Sequence, residues 1–135
     1  MAANKSPFDH QFERLVEEQK EGDGESSPLF VELLRHGSQI TEPLAQYIVR
    51  QPEKAELEVL IRLLGKSMDE RSTGIVFHFL ESRIPELRLA AANAVGWNRS
   101  RGALETLDAM EANDPDKRVR EEARAAVEEI LRDYP

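Results

Sequence analysis

The chain of 135 residues has no cysteine, which excludes disulfide scaffolds, thiolate zinc sites, iron–sulfur clusters and cysteine nucleophiles. Long apolar runs are also missing. The longest, such as Leu89 to Ala92, are a few residues and cannot span a bilayer. Met1 to Pro7 has no apolar core of the kind a signal peptide needs, so the expected location is cytoplasmic and no membrane partner is expected. Strand-like alternation and hairpin dipeptides are absent. So are phosphate-cradling glycine loops and the Gly-x-Ser-x-Gly elbow. The three histidines, His10, His36 and His78, each stand alone, which leaves no metal-ligand set. No catalytic residue, metal or cofactor is therefore expected. Aromatic residues are only 6% of the chain, so a core must be built mainly from Leu, Ala, Val and Ile.

What is present is a chain of 33% charged and 40% hydrophobic residues, the balance of a helix-rich globular domain. The formal charge is −8 and is uneven. Fifteen acidic and nine basic residues precede Ser82, against eleven and nine after it. A protein partner, if charged, is expected to be basic and to meet the N-terminal half. The near-neutral C-terminal half, with no aromatic interleaving beyond Trp97 and Tyr134, argues against a nucleic-acid partner.

Phe8, Phe12, Leu15 and Val16 make a helical stripe on a segment from Pro7 to about Lys20, with Ser6 placed to cap it. Glu21 to Ser27 reads as a flexible linker. The division expected is 1–27 for the N-terminal helix and linker and 28–135 for the rest. The first stripe serves either as a cap on the first hairpin, as the contact of a homodimer, or as a contact for another partner. Six further helices are expected from punctuation: Pro28 to His36, closed by Gly37; a helix from Thr41 to Arg50; Glu53 to Leu64, closed by Gly65; a helix starting at Asp69 or Ser72; one from Pro85, closed by Gly96; and Gly102 to Ala112, capped by Ser100. A turn at Asn113 to Asp116 precedes a last helix reaching about Arg132.

These helices repeat. Leu63-Leu64-Gly65 matches Ala94-Val95-Gly96 at an offset of 31. Leu87-Arg88 with Ala91, Ala94 and Val95 matches Val119-Arg120 with Ala123, Ala126 and Val127 at an offset of 32. Leu44, Tyr47 and Ile48 fall on Ile75, His78 and Phe79, again at 31. One helical hairpin per period, stacked on its neighbours, covers the apolar face each would otherwise leave wet. The alanines let helices approach closely. Arg88 and Arg120 are placed to cross to the turn of the preceding repeat, with Asp114 or Asp116 as partner for Arg120.

Asp114 to Val127, reading Asp-Pro, then Val-Arg, then an Ala-rich helix, resembles a HEAT repeat of the short type found in phycobilisome lyases. Pro85 to Gly96 resembles the same repeat. The resemblance covers Pro85 to Leu131 well and weakens over Pro28 to Ser82. It implies an all-α, right-handed α-solenoid of about three and a half HEAT-like hairpins with an N-terminal helix. HEAT-like proteins include scaffolds, chaperones, cofactor lyases, DNA glycosylases and metal-dependent hydroxylases, so fold alone does not choose among them. The His-Glu dipeptides of the hydroxylases are missing here.

The expected function is a non-enzymatic protein-binding module, a scaffold or adaptor. The alternative implied by the repeat type is lyase-like handling of a chromophore. Trp97 either closes the end of a hairpin core or stands exposed as a partner anchor, with Arg99 and Arg101 beside it. Tyr47 and His78, equivalent in the repeat, complete the candidate binding residues. Neighbouring carboxylates such as Glu121-Glu122 and Glu128-Glu129 diverge on a helix and read as solvated faces.

Overall fold

The computed structural model describes residues 6–20, 27–67 and 72–132. Among these, the chain forms eight α-helices and no strand. They are α1 (Asp9–Lys20), α2 (Pro28–Leu34), α3 (Thr41–Arg50), α4 (Glu58–Lys66), α5 (Thr73–Phe79), α6 (Pro85–Trp97), α7 (Leu104–Asn113) and α8 (Lys117–Leu131). The hairpins α3–α4, α5–α6 and α7–α8 stack into an all-α solenoid, with α4, α6 and α8 packed side by side in that order. Helix α4 lies at the centre, touching α1, α2, α3, α5 and α6. That position explains why Val59, Leu60, Ile61, Leu63 and Leu64 are all fully buried, an apolar helix almost all round.

The start of the chain folds back. Phe12 and Leu15 are fully buried, and α1 packs on α3 and α4, covering the first hairpin. The Phe12 and Tyr47 rings lie 5.5 Å apart, and Arg50 Nη2 reaches Asp9 Oδ2 at 2.9 Å. Ser6 Oγ accepts from the Phe8 N–H, capping the entry to α1. Residues 21–26 of the expected linker, and Asp69 as a helix start, lie outside the described residues. Ser27 is not linker. It is buried, accepts from the Leu29 N–H as the N-cap of α2, and donates to Glu18.

Helix α3 keeps the expected Thr41–Arg50 bounds and α5 starts just after Ser72, but neither residue, nor Ser100, makes a side-chain cap. Thr41 is instead buried and donates to Ser67 Oγ, while single 3-10 turns at Gly37–Ile40, Ala55–Leu57 and Arg101–Ala103 lead into α3, α4 and α7. Helix α4 therefore starts at Glu58 rather than Glu53.

The larger correction concerns Gly65 and Gly96. Neither terminates a helix. Both lie inside one and face the next repeat. A Cβ on Gly65 would stand 2.4 Å from Ala94 Cβ and 2.8 Å from Ala94 Cα. One on Gly96 would meet Ala126 Cα and Cβ at 2.9 Å. The glycines are needed because the backbones of α4, α6 and α8 approach too closely for any side chain. With Gly96 used in packing, α6 is closed by Arg99 in the left-handed region, at φ 53. The Arg99 N–H donates to Gly96 O at 3.1 Å and the Ser100 N–H to Val95 O at 2.9 Å, the paired bonds of a left-handed helix end.

Arg88 also departs from expectation. It crosses forward, not back. Its Nε and Nη2 donate to the two oxygens of Asp114 at 2.8 and 2.9 Å, in the turn before α8. Its Nη1 donates to Ser82 O, as Arg120 Nη1 does to Asp114 O. Burial alone would raise the Asp114 carboxyl, but the Arg88 hydrogen bonds, the Asp116 N–H and the Arg88 charge hold it below its ordinary value.

The packing makes three predictions. Gly65→Ala and Gly96→Ala should each destabilise the chain by about 1–3 kcal/mol in urea denaturation, because overpacking outweighs alanine's better helix propensity. Gly74→Ala, on α5 with open space around it, should stabilise by about 0.5–1 kcal/mol in the same assay. Asp114→Ala leaves the part-buried Arg88 charge without its partner and should cost about 3 kcal/mol at pH 7. Because the folded Asp114 value is lowered, the contribution is complete above the ordinary 3.8 and is lost as pH falls below it. The gap between wild type and variant should therefore narrow in denaturation curves taken below that pH.

Candidate functional site

The five expected binding residues fall on three surfaces. Trp97 ends α6 and is 49% exposed. Arg99 follows it at the left-handed helix end, with Nη2 3.5 Å from Glu129 Oε1. Arg101 opens the 3-10 turn beyond, with its side chain exposed. Tyr47 is elsewhere. It is buried between α1 and α3, and lines a cleft of about 590 Å³ with Asp9, Glu13, Arg50 and Lys54. Burial raises the Tyr47 hydroxyl above its ordinary value, reinforced by the charges of Glu13 and Asp9. The Asp9 carboxyl, despite its burial, is held low by hydrogen bonds from Ser6 and Arg50. His78 is exposed in a third place, a groove between α3 and α5 with Val49, Ile75 and Phe79.

Around Trp97 the stacking adds residues that the sequence reading missed. The Lys66 ammonium, from the end of α4, stands 4.2 Å from the centre of the Trp97 ring. Across α6 and α8, Asn93 Nδ2 donates to Glu122 Oε2 at 3.2 Å. Asn93, Gly96, Trp97, Glu122, Ala126 and Glu129 line a groove of about 270 Å³ between the two helices. A signal for part of this was present. Lys66 precedes Trp97 by 31 residues, the repeat offset, so the two ends of α4 and α6 must be neighbours. Glu122 and Glu129 had no such marker, because glutamates on a polar helix look alike before the helix is placed.

Among the described residues no group of His, Asp and Glu is placed to hold a metal, and no helix is long and apolar enough to cross a membrane. The fold and this surface define a helical-repeat protein with a half-exposed tryptophan on its stacked second helices. A family model described as HEAT repeats matches residues 41–128, well over half of the chain. The chain belongs to the HEAT-repeat family. No curated protein and no solved structure matches it.

Arg99 carries a backbone cost, since a side chain in the left-handed region is disfavoured by about 1–2 kcal/mol and glycine is the usual occupant. Arg99→Gly should raise stability by about 0.5–1 kcal/mol in urea denaturation, because the exposed contact to Glu129 is worth less than the strain. A loss of stability would show that the ion pair outweighs the backbone.

Proposed function

We propose that the chain is a non-enzymatic scaffold or adaptor that binds a protein partner on the face of its stacked second helices, with Trp97 as the anchor. HEAT repeats generally mediate protein–protein interaction. The observation that carries the reading is the half-exposed Trp97 ring, set beside a groove on rigid helices. Tryptophan and arginine dominate the energetics of interfaces, and a preformed helical surface loses little entropy on binding. The cytoplasm as its place of action fits a chain without cysteine.

Chromophore handling draws no support from the cleft beside α1. A tetrapyrrole requires mostly apolar walls. The 590 Å³ cleft beside α1 is walled chiefly by charged and polar side chains, among them Asp9, Glu13, Arg50 and Lys54.

The test compares affinity capture from native lysate by the wild type, Trp97→Ala and Val31→Ala, read by quantitative mass spectrometry. Val31, 48% exposed on α2 and away from every candidate groove, is the matched apolar control. Recovery of the enriched partners should fall about ten-fold or more with Trp97→Ala, as for a binding hot spot, and stay nearly constant with Val31→Ala. Unchanged recovery with Trp97→Ala would remove Trp97 as the anchor.

A further inference from the structure

The groove between α6 and α8 has a more specific chemistry than a general binding face. Gly96 and Ala126, both buried, lie at its base, and Trp97 stands beside them. The small residues that let the two helices approach also leave this space open above them. Its two carboxylates differ. Glu129 faces Arg132 at 2.8 Å and Arg99 at 3.5 Å, so its charge is already compensated. Glu122 receives the Asn93 amide at 3.2 Å, and no cation among the described residues pairs with it. A neutral donor fixes that carboxylate in place without cancelling its charge.

An aromatic ring and a fixed, uncompensated carboxylate in one groove select a cation. The ring attracts it through its π face, and the carboxylate accepts charge-assisted hydrogen bonds. The ring already holds one cation, the Lys66 ammonium. The groove's 270 Å³ is below the roughly 300–1,000 Å³ of drug-sized sites, but suits one long side chain. A guanidinium fits better than an ammonium, because its plane stacks on an aromatic ring and its parallel N–H groups match a carboxylate.

We propose that this groove is a pocket for an arginine side chain of the partner protein, stacked on Trp97 and hydrogen-bonded to Glu122. The proposal rests on the protein-binding reading above and names the chemistry of the partner there. A chain of net charge −8 also draws a basic segment toward it at long range.

Trp97 is the single tryptophan, so its emission reports on the groove directly. The probe is a blocked peptide of alternating arginine and glycine, with lysine–glycine and glutamate–glycine peptides of equal length beside it. The arginine peptide should shift Trp97 emission saturably, the lysine peptide more weakly, and the glutamate peptide not at all. Glu122→Gln keeps the bond from Asn93 and should weaken the arginine peptide about five-fold or more. Glu121→Gln removes the same charge from the exposed neighbouring position and should leave affinity within about two-fold. An absent emission shift, or equal losses in the two variants, would overturn the arginine pocket. So would Glu122→Gln retaining lysate partners that Trp97→Ala loses, an outcome that leaves the protein-binding reading standing.

Discussion

The close approach of α4, α6 and α8 is the constraint on which the rest of the molecule depends. Two contacts of almost no side-chain volume set it, Gly65 on Ala94 and Gly96 on Ala126. Helices brought this near exclude water from the alanine faces between them, so Ala90, Ala91, Ala92 and Ala94 are buried although each contributes little apolar area. The larger residues, Leu87, Leu107 and Val119 among them, then fill the space toward the first helices. A core poor in aromatics works because the distance between backbones is short, and dispersion contacts gain from that proximity.

Arg88 keeps the stack in register. Its fork grips Asp114 in the next hairpin while its remaining nitrogen holds Ser82 O in its own turn. One side chain thereby ties together two turns that are 32 residues apart, and Asp114 returns the favour by accepting the Asp116 N–H that opens α8. Small-on-small packing is permissive about sliding along the helix axis. A two-point ion pair with little exposure on either side is not.

The helical class and the period were readable because hydrophobic spacing and small residues recur every 31 or 32 positions. Spacing states which residues share a register, but not which neighbour each one faces. Gly65 and Gly96 could therefore be taken for helix ends, although they are contact points, and Arg88 could be assigned to the wrong side. The same limit governs the site. Trp97 stood out as the lone tryptophan, with arginines near it. Its partners, Lys66 and the carboxylates of the groove, come from the repeats on either side and become its neighbours only through stacking. Tyr47 and His78 share a repeat position, yet α1 covers Tyr47 while His78 stays exposed. The two positions were equivalent within the period and became different because, among the described residues, α1 folds over the first hairpin at Tyr47.

Repeat register also explains why the surface changes character from one second helix to the next. Leu89, Ala92 and Gly96 on α6 have Glu121, Arg124 and Glu128 as their counterparts on α8, 32 residues later, and all three are exposed. A glutamate where Gly96 makes backbone contact with Ala126 cannot be accommodated at the 2.9 Å that contact allows. That row on α8 is charged and exposed, so among the described residues the close backbone contact of α6 with α8 has no counterpart on the far side of α8. The next row round the helices changes in the same step. Lys66 on α4 gives way to Trp97 on α6, and to Glu129 on α8, so a cation, an aromatic ring and a carboxylate succeed one another across the stacked second helices. The geometry that repetition imposes is uniform, and the chemistry placed on it is not, which is how a fold built for packing presents one distinct groove.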